Sequence, residues 1–248
     1  MPGKKTRDNL KLLLVQARKD QQMKLHEITC FETSGGLSDE RVASHDLLEK
    51  PLDVGEIGRY DGILIGGSGD HSVLDDVPNM KSLADLVWEA KTRDLPMLGS
   101  CWGAQFLAKT FGGQVIHDRE HKEVGSILVT KAAAAKDDVL FVDMPETFWA
   151  QAGHSDRVSV LPAGAVLLAS SSVCPVQAFT FPQSGMYGVQ FHPELGKDDL
   201  VLRLKYYREN YISDTDSVDT ISGSLKDTAE AASLVGKWID RVVLNRRS

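Results

Sequence analysis

Apolar positions along this chain fall into short unbroken runs, separated by stretches with a different period. Leu10-Lys11-Leu12-Leu13-Leu14-Val15 opens the pattern, and Tyr60-Asp61-Gly62-Ile63-Leu64-Ile65 and Leu95-Pro96-Met97-Leu98 repeat it. Compact runs of this length read as strands of a buried sheet. Between the second and third, residues 78–93 place Leu83, Leu86, Val87 and Ala90 at i, i+3, i+4 and i+7, with Pro78 near the first turn. That spacing predicts an amphipathic helix packed on the sheet. Phe106-Leu107-Ala108-Lys109 reads as the first turn of another helix, directly after the third run. Strand–helix–strand alternation of this kind predicts a parallel, doubly wound α/β sheet.

From about residue 113 to 191 the texture changes. Residues 126–129, 165–168 and 177–181 are short apolar runs between turn residues, which predicts an antiparallel part or a mixed sheet edge. Gly188-Val189-Gln190-Phe191-His192-Pro193-Glu194 ends a strand in a polar tip, and 198–211 is expected to be helical. Residues 213–224 read as a loop. A last helix over 225–244 would carry Leu225, Thr228, Ala232, Val235, Trp238, Ile239 and Val242 on one face, docked on the domain or on a partner. Trp238 is expected in the core. Residues 20–50 show no clear period. Within them Ser34-Gly35-Gly36-Leu37-Ser38-Asp39 only superficially matches a phosphate-binding loop, lacks a preceding strand, and reads as a flexible surface loop. The expected organisation is one domain over 1–212 and a C-terminal loop and helix over 213–248.

The formal net charge of -7 argues against a nucleic-acid surface, which needs a basic patch. The three cysteines, Cys30, Cys101 and Cys174, are too widely spaced for a disulfide framework or a metal knuckle. Cys30 and Cys174 read as packing residues. No run approaches the ~20 apolar residues of a membrane span, and the run after the basic start is too short for a signal peptide. A cytoplasmic protein without cofactor or metal is expected. His117 and His121 have helical metal-ligand spacing but charged neighbours, and read as a solvated loop.

The chemistry concentrates at Gly99-Ser100-Cys101-Trp102-Gly103-Ala104-Gln105. A cysteine between strand and helix, flanked by glycines, has the form of a nucleophile elbow. Its sulfur sits at the positive end of a helix dipole, which favours negative charge. Gly66-Gly67-Ser68-Gly69-Asp70 is a glycine-rich turn after a strand, lacking the Walker and dinucleotide spacings, that could present an N–H to an oxyanion. A cysteine nucleophile needs a base that later acts as an acid, and that histidine needs an orienting carboxylate. His192 and Glu194 supply both, projecting to the same side in extended backbone, with rigid Pro193 between them.

G-S-C-W-G-A-Q, followed about ninety residues later by G-V-Q-F-H-P-E, resembles the class I glutamine amidotransferase family, in particular GMP synthase glutaminase domains and their stand-alone relatives. The resemblance covers roughly residues 10–212 and implies the flavodoxin-like fold of that family. It also implies a catalytic triad of Cys101, His192 and Glu194, with Cys101 attacking the side-chain amide of glutamine to release ammonia and leave a γ-glutamyl thioester. The oxyanion would be held by the backbone N–H groups of Gly67 and Trp102. Gly69, Gln105, Ser155 and Asp156 would grip the substrate, the last two largely through backbone; alternatively, Asp156 simply caps a turn. Glu123-Val124-Gly125 falls where relatives carry Glu-X-Gly and gains no role from it.

Two departures bear on function. Ser68 stands where many relatives have proline, so the hole is expected to need ordering by substrate or partner. No ATP-pyrophosphatase loop follows, so the ammonia is expected to pass to a separate synthetase or acceptor-activating partner. The same triad would also suit a γ-glutamyl peptide or conjugate hydrolase. A redox-sensing protein without enzymatic activity is a third reading, weakened by the intact His192–Glu194 pair.

Overall fold

In the computed structural model, residues 5–38, 40–182, 184–212 and 217–246 are described. Strand β1 (Leu12–Gln16) alternates between two cores. Leu12 and Leu14 pack with Phe31 and Trp238, while Leu13 and Val15 pack with Leu83 and Phe106. A strand apolar on both faces must be covered on both. The elements that follow supply the covers: α1 (Gln21–Gly35), β2 (Val42–Asp46), β3 (Gly62–Ile65), α2 (Met80–Thr92), β4 (Met97–Ser100) and α3 (Trp102–Thr110). β2, β1, β3 and β4 pair in parallel, with α1 over one face and α2 and α3 over the other.

The chain then adds β5 (Gln114–His117), β6 (Glu123–Lys131), β7 (Thr147–His154), β8 (Asp156–Val160), β9 (Val166–Ser170), β10 (Ala178–Phe181) and β11 (Met186–Val189). The main sheet runs β2-β1-β3-β4-β11-β10-β9-β6-β7, while β5 and β8 form a separate two-stranded ribbon. β11 returns to lie parallel beside β4, with Val189 opposite Ser100. Every pairing from β11 out to β7 is antiparallel. The doubly wound core and its antiparallel extension are therefore one continuous mixed sheet. The carboxyl ends of β1, β3, β4 and β11 converge at one edge, where open α/β sheets bind ligands.

Helices α4 (Lys197–Tyr206), α5 (Arg208–Tyr211), α6 (Val218–Ser224) and α7 (Ala229–Trp238) complete the chain, α7 running into a wider π turn over Ile239–Val243. α7 lies against α1 and β7 and buries Ala231, Leu234, Val235 and Trp238. Trp238 is fully buried, whereas Ala232 and Val242 from the expected face are only partly covered. The offset arises because the helix starts at Ala229 and widens at Ile239.

Three local expectations are corrected. Residues 20–50 hold a helix and an edge strand. The inward face of α1 mixes Met23, Cys30 and Phe31 with buried Lys24 and Glu27, whose charges hide the apolar period. Gly35-Gly36 ends that helix, Gly36 adopting the left-handed conformation (φ 58°) of a C-cap, so the segment is no flexible loop; Asp39 lies outside the described residues. Of the loop expected over 213–224, residues 213–216 lie outside the described residues. Val218–Ser224 is helical, capped by the Ser217 side chain on Thr220 N, with Val218 and Ile221 packed toward Leu200 and Leu225.

Candidate functional site

Cys101 follows β4 directly and begins α3. Its backbone sits at φ 49°, ψ -103°, a conformation that costs an L-residue strain and projects the side chain from the top of a strand. The turn is so tight that a Cβ at Gly103 would run into the carbonyl oxygen of Ile65, so only glycine fits. The sulfur is buried and receives a hydrogen bond from Gln190 Nε2 at 3.6 Å.

His192 follows β11, its N–H donating to Gln151 O at 2.8 Å. Its Nδ1 lies 2.7 Å from Glu194 Oε1. Pro193-Glu194 is a turn closed by Leu195 N on His192 O (3.3 Å), rather than extended backbone. The pair meets by that turn instead of by strand alternation. Ser100 donates its hydroxyl to Glu194 Oε2 at 2.8 Å, and Arg203 Nη1 stands 3.7 Å from Oε1. Burial alone would lower the pKa of His192; the charges of Glu194 and Cys101 and the hydrogen bonds outweigh it and raise it to about 9. Burial would raise Glu194, but His192 and Arg203 bring it down to about 2. The geometry supports a nucleophile, a base charged in the resting site, and an ionised orienter.

Cys101 opens onto a cavity of about 500 Å³. Gly69, Gln105, Ser155 and Asp156, the expected substrate contacts, all line it. Gln105 Nε2 donates to Asp156 O (2.8 Å) and to Gln190 Oε1 (3.1 Å), tying α3 to the start of β8. The Asp156 carboxylate is engaged by His117 Nδ1 (2.7 Å) and the Ser72 hydroxyl (2.5 Å), a tertiary junction and not a turn cap. His117 ends β5 and lines the cavity, while His121 turns to Asp118 at 2.8 Å. The two histidines thus serve separate carboxylates.

The two expected oxyanion donors divide. Trp102 provides the first N–H of α3, which has no acceptor within its own helix. The N–H of Gly67, expected to face Cys101, instead donates to Glu27 Oε1 at 3.2 Å. In this conformation a buried carboxylate from α1 takes the Gly67 hydrogen.

Several contributors lacked a sequence signal. Glu123 and His154 pair at 3.0 Å in the interior, with Ser171 and Gln177 also on Glu123, and this fixes the end of β7 that leads to Ser155. The Glu-X-Gly spacing could have pointed to it. Tyr211 of α5 reaches the cavity and donates to Ser68 O at 3.5 Å, and Asn210 Nδ2 donates to Gly69 O at 2.6 Å. Burial pushes the thiols of Cys30 and Cys174 up, the latter to about 12, as inert packing requires.

Comparison with known proteins bears on the same residues. The model of the family described as glutamine amidotransferase class-I matches residues 40–200, well over half of the chain and a span that includes Cys101, His192 and Glu194. The chain belongs to this family. Among relatives of this amidotransferase, one of the subunits of glutamine-hydrolyzing GMP synthase from Archaeoglobus fulgidus is 33% identical over 149 residues, covering 60% of this chain and 74% of that protein. Among solved structures, a glutamine amidotransferase from Thermotoga maritima superposes with a TM-score of 0.76 at 20% identity, covering 96% of this chain and 99% of the other. A glutamine amidotransferase from Methylobacillus flagellatus gives 0.70 at 21% identity, covering 96% of each chain. Both likenesses bear on the fold alone. No helix among the described residues of the amidotransferase is long and apolar enough to cross a membrane.

Proposed function

We propose that this amidotransferase hydrolyses the side-chain amide of glutamine through a thioester on Cys101. The sulfur adds to the amide carbon, giving a tetrahedral oxyanion. His192, protonated in the resting site, gives its proton to the amide nitrogen, and the C–N bond breaks to release ammonia. A water then enters, His192 takes its proton, and hydroxide displaces the sulfur to give glutamate. Glu194 keeps Nδ1 engaged throughout, so the other ring nitrogen serves both transfers.

The observation that carries this reading is the His192–Glu194 contact of 2.7 Å beside a strained cysteine. The cavity rim adds support, with Arg119 and Lys122 of one sign and Asp70 and Glu209 of the other, as the two charges of an amino acid head group require. The ammonia is passed to a separate synthetase protein. That relatives are named as one part of a multi-chain, glutamine-hydrolyzing GMP synthase favours such a partner. Ammonia release from glutamine, measured with and without candidate partners, tests this. Loss of release in Cys101→Ala supports it, and unchanged release in that variant refutes it.

The cavity also favours a second reading. A volume of about 500 Å³ is roomier than free glutamine requires. A γ-glutamyl conjugate would form the same thioester and leave a larger amine. Relative kcat/KM for γ-glutamyl conjugates and for glutamine separates the two substrates.

A further inference from the structure

Behind the triad lies a set of buried charges that the hydrolysis just described does not use. Arg18, just beyond β1, pairs with Glu27 of α1 at 2.7 Å, the two side chains being 2% and 0% exposed. Gln16 Nε2 donates to Glu27 Oε2 at 2.9 Å, and the Gly67 N–H donates to Oε1 at 3.2 Å. Arg203 Nη2 stands 3.8 Å from the same Oε1, while its Nη1 stands 3.7 Å from Glu194 Oε1. Although buried, none of the guanidinium nitrogens of Arg203 makes a hydrogen bond among the described residues. Arg18, Glu27 and Arg203 all lie outside the 40–200 span that matches the family.

The turn is closely packed on both sides. A Cβ at Gly66 would lie 2.7 Å from the Glu27 carboxylate, and one at Gly67 would lie 2.8 Å from His192 Cε1. The two glycines are wedged between an acidic group on one side and the catalytic imidazole on the other. A charge-assisted bond from a backbone N–H to a carboxylate is stronger than its neutral counterpart. Once the Gly67 N–H turns away, Glu27 Oε1 loses one donor. Arg203, with unused donors 3.8 Å off, can close on the vacated oxygen. Buried polar groups are seldom left unpaired, and this arrangement provides a partner for Glu27 in either state.

We propose that Glu27 is a positioning residue that latches the oxyanion turn, holding the Gly67 N–H away from Cys101 until the turn releases it. In the latched state Trp102 alone of the two donors faces the oxyanion. A missing donor slows acyl transfer by about a hundredfold or more, so the latch restrains hydrolysis of unaccompanied substrate. The inference rests on the proposed thioester reaction for its consequence, but its geometry can be tested without it.

The test compares wild type with Glu27→Asp, which keeps the charge for Arg18 but draws the carboxylate back from Gly67. Glu27→Gln provides a second variant, with a weaker acceptor of the same length, should the first not fold. Amide hydrogen exchange at Gly67 is expected to be slow in wild type and at least about tenfold faster in the variant. Ammonia release from glutamine should rise about tenfold in kcat with KM unchanged. Alkylation of Cys101 by iodoacetamide, which develops no oxyanion, should stay at the wild-type rate. Fast Gly67 exchange in wild type, or a released Gly67 with unchanged or lower kcat, overturns the latch. If wild type hydrolyses no more than Cys101→Ala, the proposed function fails, and the exchange rates still decide whether Glu27 holds Gly67.

Discussion

The hydroxyl of Ser100 donates to Glu194 Oε2 at 2.8 Å, the oxygen that His192 does not use. The residue just before Cys101 therefore fixes Glu194, the partner of His192, and the end of strand β4 ties the three side chains together. Ser100→Ala leaves that oxygen buried without its donor, a loss worth about 1 kcal/mol. A kcat roughly fivefold lower with KM unchanged is expected in steady-state ammonia release. An unaltered kcat would mean that the hydroxyl does not hold Glu194.

The charged state of the pair sets a pH dependence of stability. The pKa of His192 is raised from 6.5 to about 9, so its contribution is fully present below 6.5 and is lost as pH rises through 9. Glu194 is depressed from 4.5 to about 2, so its contribution is present above 4.5 and is lost as pH falls through 2. Urea melts of wild type and His192→Gln should differ most between pH 4.5 and 6.5 and converge toward pH 9. A constant difference from pH 6.5 to 9 contradicts the ion pair.

The strained backbone at Cys101 makes an unusual prediction about glycine. Replacing alanine by glycine at a helix start ordinarily costs stability, but φ 49°, ψ -103° penalises any Cβ. Cys101→Gly should therefore unfold at higher denaturant than Cys101→Ala, by about 1 kcal/mol. The reverse order would place Cys101 in relaxed backbone.

Trp238 packs so closely on β3 that a Cβ at Gly62 would lie 2.9 Å from its ring. Trp238→Ala empties a fully buried site and should cost about 3–5 kcal/mol in chemical denaturation. A loss under about 1 kcal/mol would show that α7 is not part of the core.

What could be read from the sequence follows from periodicity and local chemistry. β1, β3 and β4 are unbroken apolar runs, α2 has a clean helical stripe, and the cysteine elbow and His-Pro-Glu tip sit at element ends where the chain order alone suggests a site. α1 escaped because Lys24 and Glu27 lie on its buried side, each neutralised by a residue outside the helix: Asp46 for one, Arg18 for the other. The orientation of the Gly67 N–H was illegible for the same reason. It depends on a carboxylate forty residues upstream whose burial only the assembled fold explains. Ser100 stood inside the elbow motif, yet its role required knowing that Glu194 turns back toward β4.

The proposed hydrolysis requires a covalent intermediate at Cys101. Rapid quench of the protein with glutamine, or with a γ-glutamyl conjugate, followed by peptide mass spectrometry, reads it directly. The predicted result is a γ-glutamyl group on the peptide containing Cys101, absent from Cys101→Ala and accumulating in step with amine release. Amine release without any acyl group on Cys101, or release that persists in Cys101→Ala, would contradict it.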